Sequence, residues 1–235
     1  MRLIADIKKK LGAFNLDVKI DSKEMSVGIL GASGCGKSMT LKCIAGIEKP
    51  DSGYIELNGR VLYSSKKGIN IKPQKRNIGY LFQNYALFPT MSVKKNIMCA
   101  LRNNKENKDE RYADAVRLFH LEGLEKHKPY QLSGGQAQRV ALARMFVSSP
   151  TLLLLDEPFS ALDTFLRKNI QNELSSLLTN LNIQTVVVTH SQKEVKRMCK
   201  EVYLMKDGYV LQNGPTEYVF KNPVNPSASL LLEEY

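Results

Sequence analysis

"MSVGILGASGCGKSMTLKCIAG", Met25 to Gly46, is the stretch whose reading decides the fold. Met25–Leu30 is an apolar run without polar alternation, the pattern of a strand buried on both faces. It leads straight into G-x-x-x-x-G-K-S, Gly31 to Ser38, and then into "MTLKCIAG", a helix-like stretch ended by Gly46. Strand, glycine-rich turn and helix in that order form the context a phosphate-cradling loop requires. Gly31, Gly34 and Gly36 let the backbone wrap phosphate oxygens, with Ala32, Ser33 and Cys35 between them and Met39 just beyond. Lys37 reaches toward the outer phosphates and the Ser38 hydroxyl is placed to ligate Mg²⁺. A plain turn before a helix is the alternative, and the flanking strand and helix argue against it.

Three more apolar runs, "TLLLLD" (151–156), "TVVVTH" (185–190) and "EVYLM" (201–205), read as further strands of a parallel sheet, with helical stretches between them. The class is therefore α/β. Residues 53–63 read as a hairpin turning at Asn58-Gly59. "IGYLF" (78–82) reads as another strand, expected to join the hairpin and the N-terminal strands in an antiparallel layer beside the main sheet. Residues 91–147 contain no strand pattern and read as a helical subdomain inserted in the core. "NNKENKDE" (103–110) reads as a polar loop and "KNPVNPSAS" (221–229) as a Pro-punctuated tail.

Chemistry-bearing residues collect at the ends of these strands, where open α/β sheets hold ligands. Asp156 ends a buried run and is placed to hold Mg²⁺ through water; Glu157 follows, placed to orient or deprotonate a water. Alone, Asp-Glu after a strand is often a helix cap or a surface pair; beside a phosphate loop that alternative weakens. His190 ends "TVVVTH" and is placed to hydrogen-bond a terminal phosphate. Gln83 ends the strand-like "IGYLFQ", where a neutral amide can ligate Mg²⁺ or hold the water. His120 and His127 lie in the helical stretch and are read as structural. A second anion-binding pattern follows at "LSGGQAQRV", Leu132 to Val140: Ser133, Gly134, Gly135 and Gln136 open a helix whose N–H groups face an anion.

The composition is that of an ordinary globular chain, 43% hydrophobic and 24% charged, and no window carries the apolar length of a membrane span. The N-terminus lacks a signal-peptide pattern. Cys35, Cys43, Cys99 and Cys199 show no metal spacing and read as free thiols; Cys35, among the converging N–H groups of the phosphate loop and beside Lys37, reads as favouring a thiolate. The net charge of +11 suggests an anionic neighbour, but the basic residues are dispersed and read mostly as solvated faces.

Taken together, these motifs resemble the ATP-binding-cassette ATPases over essentially the whole chain. "GASGCGKS" resembles the Walker A motif, Gln83 the Q-loop glutamine, "LSGGQ" the signature, "LLLLDE" Walker B with its catalytic glutamate, "SALD" (160–163) the D-loop and His190 the H-loop histidine. Met39 departs from the more usual Thr. The resemblance implies a single nucleotide-binding domain over 1–235, with a P-loop NTPase (RecA-like) core, an antiparallel layer and the helical insertion. It implies ATP and Mg²⁺ as cofactors, and a homodimer in which Ser133, Gly134, Gly135, Gln136 and Asp163 complete the other copy's site. It also implies Phe14, in "LGAFNL", as a platform for the adenine ring; a half-buried strand Phe is the alternative.

"FQNYALFPTMSVKKNI" (82–97) resembles the stretch of importer ATPases that receives a transmembrane permease. The resemblance thus implies a peripheral protein on the cytoplasmic face of the membrane, served indirectly by a periplasmic or extracellular binding protein, with no nucleic acid. Residues 57–83 and "LGAFNL" look closest to molybdate/tungstate importers; sulfate, iron(III) and polyamine importers are the alternatives. The chain ends at Tyr235, so no C-terminal regulatory domain is expected. A chromosome or DNA-repair ATPase would need a long coiled coil before the signature, and no heptads occur there. A GTPase would need an N-K-x-D motif, which is absent.

Overall fold

Two interleaved sets of apolar side chains build the sheet. On the strand Leu152–Asp156, Leu152 and Leu154 enter one apolar cluster while Leu153 and Leu155 enter the other. Gln184–Thr189 does the same, Val186 and Val188 against Val187. Side chains alternate across a strand, so a strand covered on both faces shows an unbroken apolar run. The structure, a computed structural model, describes residues 1–101, 107–159, 171–172, 174–176, 178 and 182–233.

The strands are β1 (Leu3–Leu11), β2 (Phe14–Ser22), β3 (Ser26–Leu30), β4 (Ser52–Leu57), β5 (Arg60–Ser64), β6 (Ile69–Asn70), β7 (Ile78–Leu81), β8 (Leu152–Asp156), β9 (Gln184–Thr189), β10 (Glu201–Lys206) and β11 (Tyr209–Pro215). They form one mixed sheet in the order β6-β5-β4-β1-β2-β11-β10-β3-β9-β8-β7. β10, β3, β9, β8 and β7 run parallel; β1, β2, β4, β5 and β6 pair antiparallel. The expected antiparallel strands are thus present, but they continue the main sheet, joined through β2 and β11 at Asp17 and Tyr209. The hairpin turn falls at Asn58-Gly59, both with positive φ (53° and 81°), which matches the right-handed twist of the strands.

Two expectations are corrected. Ile78–Leu81 does not join the antiparallel strands; it pairs parallel with β8, Ile78 opposite Leu152 and Leu81 opposite Leu155. This places Gln83 at the same sheet end as Asp156. The tail is also more ordered than its prolines suggested: Pro226–Glu233 is a helix that buries Ala228 and Leu231. Proline suits the first turn of a helix, where its missing N–H costs no bond.

The α-helices whose bounds lie among the described residues are α1 (Lys37–Ala45), α2 (Pro73–Arg76), α3 (Val93–Met98), α4 (Lys108–Leu118), α5 (Gly134–Phe146), α6 (Gln192–Met198), α7 (Thr216–Lys221) and α8 (Pro226–Glu233). Among the described residues, 91–147 contains helices and no strand. None of the described helices is long and apolar enough to cross a membrane.

Candidate functional site

The loop Gly31–Gly36 leaves β3 at its C-terminal end and turns into α1. Gly36 caps that helix with φ 104° and no side-chain cap. The glycines do different work. A Cβ at Gly31 would lie 2.1 Å from the Met205 carbonyl oxygen, and one at Gly36 would lie 2.6 Å from Leu16 Cδ1, so both are required by packing. Gly34 (φ 81°) has open space where its Cβ would stand, and it is exposed; the approach to the loop backbone is open there. Ser33 is exposed beside it, Ala32 half-buried, and Met39 packs partly against the apolar cluster below.

Lys37 is buried. Its Nζ donates to the Gly31 and Ala32 carbonyls, both at 2.8 Å, and so lies folded along the loop. Ser38 Oγ donates to Asp156 Oδ1 at 2.7 Å. Asp156 is buried at the end of β8 and also accepts from the Tyr80 hydroxyl at 2.9 Å on Oδ2. Burial, reinforced by the Asp156 charge, drives the Tyr80 hydroxyl pKa up, so it stays a donor. The sequence did not single out Tyr80; its place on β7, in register with Leu154, becomes visible only once β7 is known to be parallel.

Glu157 follows with φ 45°, a left-handed conformation that a non-glycine residue keeps only where its surroundings fix it. Its amide donates to the Val188 carbonyl at 2.9 Å. The carboxylate receives the Gln83 amide at 3.3 Å on Oε2, while His190 Nδ1 lies 3.6 Å from Oε1. Gln83, Asp156, Glu157 and His190 thus come from the ends of three neighbouring parallel strands, Gln83 and His190 meeting Glu157 while Asp156 reaches Ser38. Phe14, the first residue of β2, is half-buried; its Cζ lies 3.3 Å from where a Cβ on Gly36 would stand, which puts the ring at the edge of the phosphate loop. The Ser38 hydroxyl and the Asp156 carboxylate bonded to it are hard oxygen donors, the kind that Mg²⁺ takes.

Cys35 corrects an expectation. The loop N–H groups and Lys37 were read as favouring a thiolate. Instead the side chain is buried in the apolar cluster beneath the loop, and its sulfur would lie 2.8 Å from a Cβ at Gly31. Burial raises its pKa, with Lys37 opposing but not prevailing.

Ser133 stands apart from this group. It caps α5 through a reciprocal box: Ser133 Oγ accepts from the Gln136 amide at 3.2 Å, and Gln136 Oε1 accepts from the Ser133 amide at 2.9 Å. Ser133 and Gly134 are exposed, Gly135 buried. Asp163 and the rest of 160–163 lie outside the described residues.

Sequence reasoning also missed Arg76, read with the other basic residues as surface. It is 1% exposed and reaches the C-terminal end of α1, donating to the Cys43 and Ile44 carbonyls at 3.0 and 2.7 Å. Further bonds go to the Ile71 carbonyl and to Asn70 Oδ1. Burial lowers its pKa to about 10, leaving it charged at neutral pH, where a cation suits a helix C-terminus. The helix that opens on the phosphate loop is therefore anchored at its far end by a buried guanidinium.

A phosphate loop at a strand-to-helix turn, with acid, amide and imidazole at the ends of the adjoining strands, defines a nucleoside-triphosphate-binding domain. Residues 13–160 match the model of the ABC transporter family, and the chain belongs to that family. Its fold is the family's ATPase cassette, an α/β P-loop domain that takes ATP with Mg²⁺. It is 45% identical over 214 residues to a spermidine/putrescine import ATP-binding protein of Nitratidesulfovibrio vulgaris, covering 90% of this chain and 56% of that protein. It is 41% identical over 232 residues to a probable sulfate/thiosulfate import ATP-binding protein of Chlorella vulgaris, covering 95% and 94%. The chain thus spans little more than half the length of the first of these relatives. Among solved structures, it matches MJ0796, a bacterial ABC transporter cassette solved as a dimer, with TM-score 0.75 at 29% identity, covering 92% of this chain and 99% of that one. It matches cbiO1 of Clostridium perfringens, part of a transporter complex, with TM-score 0.80 at 28% identity, covering 98% of each.

Proposed function

We propose that this chain hydrolyses ATP as the paired cassette subunit of a membrane import system. The observation that carries the reading is one cluster: Ser38 Oγ 2.7 Å from Asp156 Oδ1, with Glu157 held between Gln83 and His190. The loop 31–36 cradles the phosphates, and Lys37 exchanges the Gly31 and Ala32 carbonyls for phosphate oxygens. Ser38, Gln83 and, through water, Asp156 hold Mg²⁺. The ion, when bound, offsets the negative charge that builds on the phosphates during transfer. Glu157 accepts the proton of the attacking water, Gln83 steadies that water, and His190 donates to the terminal phosphate. Phe14 stacks on the adenine.

Ser133, Gly134, Gly135, Gln136 and Asp163 serve the ATP held by a second copy packed head to tail. The exposure of Ser133 and Gly134, and the dimer in which MJ0796 was solved, support this. The whole of 1–235 acts as one cassette, with 91–147 as its helical insertion. It sits at the cytoplasmic face of the membrane, and residues 83–97 receive the permease.

The cargo reading shifts with the relatives. The two relatives are named for spermidine/putrescine and sulfate/thiosulfate import; neither name supports the molybdate or tungstate expectation. A polyamine or sulfate importer fits better, cells being served by an external binding protein. Two assays test the proposal. The purified chain should hydrolyse MgATP, and Lys37→Ala should abolish this. Cells lacking the chain should lose uptake of radiolabelled spermidine or sulfate and regain it with the wild-type chain but not with Lys37→Ala. Unchanged turnover in Lys37→Ala would overturn the enzymatic reading; unchanged uptake of both cargoes would overturn the cargo reading alone.

A further inference from the structure

Arg144 lies near the C-terminal end of α5, roughly 16 Å from Ser133 along the axis at the standard helical rise. Its guanidinium reaches off the helix to the segment that follows Gln83. It donates to the Tyr85 carbonyl at 2.9 Å and to the Ala86 carbonyl at 2.8 Å, and its Cζ lies 5.6 Å from the centre of the exposed Phe88 ring. Tyr85 and Ala86 are consecutive non-glycine residues in the left-handed region, with φ 59° and 44°. There Cβ crowds the following carbonyl, so L-residues keep that conformation only where their surroundings fix it.

Two clamps fix it here. On the far side, the fully buried Asn96 of α3 accepts from the Phe88 amide at 2.8 Å and donates to the Phe88 and Met91 carbonyls. On the near side, Arg144 grips both strained carbonyls with one rigid fork. Gln83 stands two residues before Tyr85, and its amide reaches Glu157. Whatever holds Tyr85 and Ala86 therefore holds the stem from which Gln83 extends.

We propose that Arg144 is a positioning residue for hydrolysis: it ties the helix headed by Ser133 to the stem of Gln83, so that the reach of Gln83 to Glu157 follows the place of that helix. The inference rests on the roles given above to Gln83 and Ser133. It makes α5 a lever with an anion contact at one end and a hold on the water-steadying amide at the other. Lysine cannot substitute, because a single ammonium does not reproduce a planar fork across two carbonyls.

The test is a double-mutant cycle on purified chain. Arg144→Lys is expected to lower kcat about tenfold, to leave the KM for ATP within about twofold, and to raise the Mg²⁺ concentration needed for half-maximal rate. In a Gln83→Ala background the same substitution should cost less than about twofold, because the group it acts through is gone. Ala86→Gly, which admits left-handed backbone without strain, should restore most of the rate to Arg144→Lys. A purely structural role would lower the melting temperature and give equal losses in both backgrounds, and equal losses would overturn the proposal. So would wild-type kcat in Arg144→Lys. If Arg144→Lys does not purify folded, the Arg144→Lys/Ala86→Gly chain is measured instead, and failure of Ala86→Gly to rescue it overturns the proposal. Wild-type turnover in Gln83→Ala would overturn the Gln83 role itself, and the lever with it, which separates the two failures.

Discussion

Two helices begin at glycine-rich turns, and they are finished in opposite ways. At Gly36 the cap residue has no side chain to offer, and α1 opens toward a pocket built by its own chain: Ser38 against Asp156, Lys37 along the loop, Gln83, Glu157 and His190 from the adjoining strand ends. At Ser133 the cap is complete, since Ser133 and Gln136 satisfy each other's amides, and the residues that head the helix are exposed. The first terminus has walls and wants a ligand. The second has no such wall among the described residues, and in our reading takes it from another copy. The difference teaches that an anion-binding helix end does not by itself say whose anion it binds; the surrounding side chains do.

The enclosed site gives the largest expected effect. Glu157→Gln keeps the shape of the cluster but removes the base, so turnover should fall by on the order of 10²- to 10⁴-fold while ATP still binds. With binding intact and hydrolysis stopped, the dimer should accumulate on size-exclusion chromatography in MgATP. Near wild-type turnover would remove Glu157 from the chemistry and leave the two termini less different than we hold.

A smaller effect is expected at Tyr80, which touches Asp156 from behind. Tyr80→Phe removes one hydrogen bond to the carboxylate and should weaken Mg²⁺ affinity by about tenfold, the lower end for a residue that orients a ligand. Titration of ATPase rate against Mg²⁺ measures it, and an unshifted midpoint would contradict the role.

The smallest signal concerns the thiols. The thiolate is the reactive form, and a raised pKa lowers its fraction at any given pH. Burial raises Cys35 and carries Cys43 and Cys199 to about 12, whereas Cys99 is only half-buried. Maleimide at pH 7 should therefore label Cys99 first in the folded chain, with labelling of the other three rising as pH rises. Mass mapping with and without MgATP checks this; rapid ATP-sensitive labelling of Cys35 would restore the thiolate and undo the packing described beneath the loop.

Much of this was legible because it is local. The phosphate loop is written in consecutive residues between a strand and a helix, and the Asn58-Gly59 turn in two. The buried strands announced themselves because both faces are covered. What escaped depends on partners distant in sequence. Ile78–Leu81 is too short to reveal its neighbour, and with its parallel pairing went Tyr80. Arg76 and Arg144 look like any other basic residues until helix ends and strained carbonyls are seen to receive them. Cys35 was read from its neighbours along the chain, but the side chain answers to the apolar cluster beneath it.

The central claim, that the Ser133 terminus serves another copy, is tested most directly by mixing two disabled chains. Ser133→Arg should abolish hydrolysis while the isolated monomer keeps its ATP affinity, because the added cation blocks the other copy's phosphate and not its own. Lys37→Ala should be inactive for the opposite reason. A mixed dimer carries both lesions in one composite site and neither in the other, so combining the two inactive proteins should restore measurable ATPase. No recovery on mixing, together with loss of monomer ATP affinity in Ser133→Arg, would contradict the claim and return that helix end to its own chain.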